Sequence, residues 1–242
     1  MVTILFGGAG GIGAALASQM VKAGDSVVIV SRDEEHLQSV AAETGSEYVV
    51  ADATKSAEVD RVFAEVAARH GRIEAVANCI GSILLKPAHL TSDDEWASTI
   101  STNLTTAFHI VRASVRIMQK QPGGSIVLLA SAVARRGMVN HEAIAAAKGG
   151  VAALAQSAAA TYARYGIRVN CVAPGLVRTP LTKSITENEL NLKASIQMHP
   201  LGRIGTPDDV ASAVHWLLRP EQGWITGQCL GVDGGLASIQ AR

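Results

Sequence analysis

With 242 residues, 48% of them hydrophobic and only 4% aromatic, the chain is sized for one large domain whose core is built from Ala, Val, Ile and Leu. Its 21 Lys plus Arg balance its 21 Asp plus Glu, without a basic stripe or like-charge run, which argues against nucleic acid or an anionic membrane as partner. No apolar run reaches the ~18 residues of a membrane span, and Cys79, Cys171 and Cys229, far apart in apolar contexts, read as reduced core thiols in a cytoplasmic protein.

The first predicted strand, Thr3 to Phe6, runs into FGGAGGIG, Phe6 to Gly13, and a helix expected over Gly11 to Ala23. A glycine turn between strand and helix is the setting of a phosphate-binding loop. Glycine admits positive φ and close backbone approach, and free amides at a helix N-terminus favour a pyrophosphate. Two registers fit: Gly8, Gly10 and Gly13 as G-x-G-x-x-G, or Gly7, Gly11 and Gly13 as G-x-x-x-G-x-G.

The second strand, Ser26 to Val30, leads into VIVSRDEE. An acidic side chain at this point would hold the ribose hydroxyls of NAD. Ser31 and Arg32 instead offer a hydroxyl and a guanidinium to a 2′-phosphate, so NADP(H) is expected in preference to NAD(H). Asp33 competes for the ribose, but it precedes Glu34 and Glu35 and reads as the N-cap of a helix over Glu34 to Ala42. A plain surface charge is the other reading of Arg32.

Further strands are expected at Tyr48 to Ala51, Ala75 to Asn78, Ser125 to Ala130, Arg168 to Ala173 and Cys229 to Val232. Helices fall between them at Ala57 to Arg69, Asp93 to Lys120, Asn140 to Tyr165 and Pro207 to Leu218. This alternation predicts an α/β Rossmann fold, a doubly wound seven-stranded parallel sheet in a single domain over residues 1–242. Leu181 to Gly205 is the one long stretch without strand or buried-helix character, and it is the candidate substrate lid. Ala145, Ala146, Ala147, Gly149, Gly150, Ala152, Ala153 and Ala155 make the helix after residue 140 a close-packing surface, for the core or for a subunit.

These residues together resemble the short-chain dehydrogenase/reductase family over essentially the whole chain. Gly7, Gly11, Ile12 and Gly13 match its cofactor loop, Asp52 with Ala53 its adenine-contacting aspartate, and Asn78 to Gly81 its N-x-x-G segment. Asn103, Ser131 and Lys148 match three members of its catalytic tetrad. Pro174 and Gly175 match the pair after the sixth strand, with Val177 and Thr179 following on the nicotinamide side. Asp233-Gly234-Gly235 resembles a C-terminal motif that often sits near a subunit interface. The resemblance implies strand order 3-2-1-4-5-6-7, a small-molecule carbonyl or alcohol substrate, and a homodimer or homotetramer.

Two positions depart from the pattern. Phe6 stands where the family usually has a threonine, and Ile144 stands where it has the tyrosine of Y-x-x-x-K. In the family the lysine holds the nicotinamide ribose and lowers the tyrosine pKa, and the tyrosine exchanges a proton with the substrate oxygen. Losing a positioned acid costs about 10² to 10⁴ in rate. No other tyrosine is near: Tyr48 is on a strand, and Tyr162 and Tyr165 lie at the far end of the same helix. His141 is three residues before Ile144 and seven before Lys148, on one helical stripe, with Asn140 expected as N-cap. A helix N-terminus and a nearby ammonium favour the neutral imidazole, able to accept or relay a proton. Against this, its ring starts about 4.5 Å further up the axis.

The bland reading of His141 is a first-turn polar residue without chemistry. The other histidines, at 36, 70, 89, 109, 199 and 215, show no metal spacing and read as surface or structural groups. The functional expectation is an NADP-dependent oxidoreductase with an altered centre of Asn103, Ser131, Lys148 and His141. The alternative is an NADP(H)-binding pseudoenzyme, a sensor or assembly partner. Enoyl reduction or a non-redox lyase reaction is a third possibility.

Overall fold

A computed structural model describes residues 1–239; residues 240–242, the end of the expected domain, lie outside the described part. Seven parallel strands form the sheet: β1 (Val2–Phe6), β2 (Ser26–Ser31), β3 (Glu47–Val50), β4 (Ala75–Asn78), β5 (Gly124–Leu129), β6 (Ile167–Pro174) and β7 (Cys229–Val232). Their order is β3-β2-β1-β4-β5-β6-β7, as the resemblance implied. β2 and β4 lie on opposite sides of β1, so the connections reverse there and a crevice opens at the carboxyl ends of β1 and β4.

Alternation along each strand divides the core between two layers. Ile4, Phe6, Val28 and Val30 pack on one face against α3 (Ser56–His70), α5 (Thr106–Met118) and α6 (Glu142–Tyr162). Leu5, Val27 and Ile29 pack on the other, against α1 (Gly11–Lys22), α2 (Glu34–Thr44) and α9 (Pro207–Leu218). Phe6 is fully buried and stacks on Phe63 with ring centroids 5.9 Å apart, so an apolar contact replaces any hydroxyl brace of the glycine loop. Asp33 caps α2 as expected, its carboxylate accepting from the His36 N–H.

Several expectations need correction. The helix expected over 93–120 is interrupted: α4 (Asp93–Ile100) passes into α5 through a π-helical segment, Ser101–Thr105. Asn140 is not the N-cap of α6. It sits in the left-handed region at φ 63, which asparagine tolerates better than most residues, and His141 takes the cap position without capping any amide through its side chain. His141 is therefore outside the helical stripe it was expected to extend. The segment from 181 to 205 is helical, with α7 (Lys183–Thr186) and α8 (Glu189–Met198). A parallel bridge between Val177 and Gly205 closes the base of this excursion. The cysteines are free thiols as expected, yet Cys171 and Cys229, far apart in the sequence, are register partners on β6 and β7, because sequence distance says nothing about which strands a crossover brings together.

Candidate active site

The crevice at the β1/β4 reversal holds a cleft of about 280 Å³ lined by Gly7, Gly10, Gly11, Ile12, Gly13, Ser31, Arg32, Asp52, Ala53, Gly81 and Thr179, among others. Gly7 has φ 75, and a side chain there would collide with the backbone of Cys79 and Ile80 at 2.8 Å. On Gly13 a methyl would overlap the Gly7 carbonyl, so this close crossing of loop and helix demands glycine at both positions. Gly8 instead packs against Ile29 and is not part of the lining, which favours the Gly7-Gly11-Gly13 register.

At the β2 end the cleft presents Ser31 and the exposed Arg32, while Asp33 is outside the lining and engaged as a cap. Beside them, the Thr54 hydroxyl donates to Asp52 at 2.7 Å and holds that carboxyl below the usual range; the Arg32 cation adds to the effect. Asn78 lies below the lining, its side-chain oxygen accepting from Ile80 N–H at 3.0 Å and shaping the turn that carries Gly81. Val177 also points away, into the core, and serves the base of the 178–204 excursion.

Lys148 and Asn103 converge beneath Gly81. The Lys148 Nζ and the Asn103 Oδ1 each lie 3.4 Å from where a Gly81 side chain would begin, so any larger residue would press on both. Asn103 is fixed on three sides: its Oδ1 accepts from Ser82 N–H at 3.1 Å, and its Nδ2 donates to Ser82 Oγ at 2.8 Å and Thr99 O at 2.9 Å. It belongs to the π-helical segment, where the wider turn re-aims a side chain. The Lys148 ammonium donates to Leu129 O at 2.8 Å, and burial brings it down to about 8.

That value predicts a pH dependence. Below about pH 8 the folded chain carries a cation at this position, and above it the neutral amine prevails. NADPH affinity is expected to be highest below about pH 8 and to weaken as pH rises through it; Lys148→Met should remove that limb in a fluorescence titration. A limb that survives the substitution contradicts the assignment. For the empty fold, linkage adds a separate effect. Above about pH 8 and up to the ordinary lysine value, the unfolded chain binds the extra proton, so stability rises with pH.

A second cavity of about 360 Å³ adjoins Lys148's helix, lined by Ser131, His141, Ile144, Pro174, Gly175 and His199 together with apolar side chains from Ile83 to Leu236. Ser131 lies two residues beyond β5, capping a 3-10 turn, and accepts from Val133 N–H at 3.3 Å. His141 donates from Nδ1 to Val139 O at 2.7 Å, which orients the ring and leaves Nε2 free. His199 differs from it: buried, donating from Nδ1 to Ser195 O at 2.6 Å and accepting at Nε2 from Leu176 N–H at 3.2 Å, it has both nitrogens used and ties α8 to the strand end. Thr182, Ile185, Asn191, Ala194, Ser195 and Met198 from the 181–205 segment roof this cavity.

A family described as enoyl-(acyl carrier protein) reductase matches residues 7–237. A 3-oxoacyl-(acyl-carrier-protein) reductase of Chlamydia muridarum (strain MoPn / Nigg) is 35% identical, covering 97% of this chain and 96% of that one. Its Homo sapiens counterpart is 36% identical over 98% of both. The chain belongs to the short-chain dehydrogenase/reductase family. Among solved structures, the actinorhodin polyketide ketoreductase with NADPH is 28% identical with a TM-score of 0.93, covering 98% of this chain and 97% of that one. Levodione reductase is 30% identical with a TM-score of 0.93, covering 99% and 98%.

Within this short-chain dehydrogenase/reductase, sequence reasoning missed several groups. Thr102 and Thr106 reach the cleft at the β1/β4 reversal from the π segment and α5, and Leu181 from the excursion after β6. The ring of His36 meets Ala9 O at 3.0 Å and that of His109 meets Ala53 O at 3.1 Å, bracing the walls of the cleft. Only a knowledge of tertiary contacts reveals these roles. No helix among the described residues is long and apolar enough to cross a membrane, and no cluster of metal-ligating side chains occurs among them.

Proposed function

We propose that the protein is an NADP(H)-dependent oxidoreductase that interconverts a small apolar carbonyl compound and its alcohol, with His141 in place of the family's tyrosine. The observation that carries this reading is the sharing of segments between the two cavities: Gly81, above Lys148 and Asn103, and Leu181 line the first, while Ile83 and Thr182 line the second with Ser131 and His141. In this reading Gly7, Gly11, Ile12 and Gly13 receive the pyrophosphate, and Asp52 and Ala53 lie at the adenine. Ser31 and Arg32 take the 2′-phosphate. Asn78 and Gly81 shape the cleft, Lys148 holds the nicotinamide ribose, and Pro174, Gly175 and Thr179 flank the nicotinamide, while Val177, turned into the core, only supports them. NADP(H) supplies the hydride.

The remaining steps belong to the chain's own side chains. Ser131 holds the substrate oxygen by its hydroxyl. The His141 imidazole, anchored through Nδ1, takes the alcohol proton at Nε2 during oxidation and releases it to solvent; during reduction Nε2 first takes a proton from solvent and then passes it to the substrate oxygen. The apolar lining recognises the body of the substrate and excludes water. Residues 1–242 act as one dinucleotide-binding domain, with 181–205 as the lid over the substrate, assembled as a homodimer or homotetramer.

Deuterium-labelled NADPH tests the reaction class: the label should appear on the carbinol carbon of a reduced ketone. Label at the β-carbon of an α,β-unsaturated thioester would favour enoyl reduction, the activity in the matching family's description. Cofactor choice has its own test. Arg32 is exposed, so its pairing is screened, and Arg32→Ala should weaken NADPH binding roughly tenfold while leaving NADH unchanged. Equal losses for both cofactors would remove the 2′-phosphate role.

One observation favours a second reading. Ile144 is buried and lines the cavity where the proton donor belongs, consistent with a binding protein that keeps NADP(H) without turning it over. That reading predicts tight NADPH binding and no product from any carbonyl.

A further inference from the structure

β6 and β7 bring two thiols together away from the proposed reaction centre. Cys171 and Cys229 are direct partners in the parallel ladder, with Cys171 N–H donating to Gln228 O at 2.8 Å. Paired residues on neighbouring parallel strands put both side chains on one face at the strand spacing of about 4.8 Å, within the ~4.4 to 6.8 Å Cα separation that a disulfide spans. Both join the core layer on the α6 side of the sheet.

Their surroundings differ in a way that assigns roles. Cys171 is buried, while Cys229 is only partly buried on β7, the edge strand of the sheet. Gly231, two residues on and on the same face as Cys229, leaves room for a cation: Arg135 Nη1 lies 2.7 Å from where a side chain would begin. The carboxylate of Asp233 is also near this point, but it accepts from Gly235 N–H and Ala237 N–H. The neighbouring Cys171 thiol, and more weakly the Arg135 cation, push Cys229 below the ordinary thiol value, whereas Cys171 is held as the thiol.

We propose that Cys171 and Cys229 are a redox pair that a hydroperoxide converts to a disulfide across β6 and β7. The Cys229 thiolate attacks the peroxide, the O–O bond breaks, and with one proton an alcohol or water leaves as Cys229 becomes a sulfenic acid. The Cys171 thiol then displaces hydroxide from that sulfur, forming the S–S bond and releasing water. Each turnover reduces one peroxide and oxidises two thiols. An edge strand of four residues can accommodate the small approach this bond needs, and the disulfide is expected to be reducible by thiols. The pair shares no residue with either cavity, so the inference stands apart from the proposed function.

Peptide mapping after hydrogen peroxide treatment of the full folded chain, with free thiols blocked by N-ethylmaleimide, tests it. The expected product joins the Cys171 and Cys229 peptides within one chain, reverts with dithiothreitol, and leaves Cys79 alkylated. Cys171→Ser should leave Cys229 as a sulfenic acid that dimedone traps, and Cys229→Ser should leave Cys171 unoxidised. If wild-type Cys229 stays reduced, passes to sulfinic acid with Cys171 free, or links two chains, the proposal is overturned. The wild-type map decides the matter even where a variant fails to fold.

Discussion

Ile144→Tyr is expected to raise NADPH-dependent reduction of an apolar ketone by up to about 10²-fold, because a positioned general acid contributes about 10² to 10⁴ and His141 already supplies part of it. Position 144 precedes Lys148 by one helical turn and lines the same cavity as Ser131. A phenol there would stand between the hydroxyl that holds the substrate oxygen and the ammonium that stabilises a phenolate. The cost is packing. Ile144 is 5% exposed, and the larger ring must use space now belonging to the cavity, so the variant should also lose stability, by about 1 to 3 kcal/mol if the fit is poor. Initial rates at saturating NADPH and a thermal melt separate the two effects. A folded variant with unchanged turnover would mean that the cavity does not present a carbonyl to the nicotinamide side at all.

His141→Ala should have the opposite effect, lowering kcat by about 10²-fold or more with NADPH affinity intact. The anchoring of Nδ1 on Val139 O is what gives this histidine a defined direction, because the ring cannot turn without losing that bond. The cap position, outside the stripe of α6, puts it on the cavity wall by a turn through Asn140 rather than by helical spacing. An effect on KM alone would reduce His141 to a lining residue. If Ile144→Tyr and His141→Ala are combined, the phenol should make the imidazole largely dispensable.

The strands and the parallel sheet were legible because buried parallel strands leave short apolar runs and glycine turns, whereas the strand order came only from the family resemblance. The glycine turn between β1 and α1 was legible for the same reason, although its two registers were not separable until the fold showed Gly8 against Ile29 and Gly13 against the Gly7 carbonyl. What stayed hidden depends on contacts between distant segments. The π-helical turn at Asn103 follows no composition signal, since Ser101 to Thr105 reads as ordinary amphipathic helix. Asn140 has a good capping side chain, yet its left-handed backbone passes the cap to His141. Leu181 to Gly205 looked irregular because its helices are short and roof a cavity instead of entering the main core. The adjacency of Cys171 and Cys229 depends on the register of β7 on β6, which no local pattern encodes.

The central claim is that a member of this family without its tyrosine still transfers hydride, with His141 handling the proton. NADPH consumption at pH 7 with a panel of apolar ketones, run side by side on the native chain and on His141→Ala, tests it most directly. The account predicts slow but ketone-dependent oxidation of NADPH by the native chain, matched by alcohol formed, and at least a ~10²-fold loss in the variant. NADPH that binds tightly yet is never oxidised, or turnover that His141→Ala leaves untouched, would contradict it.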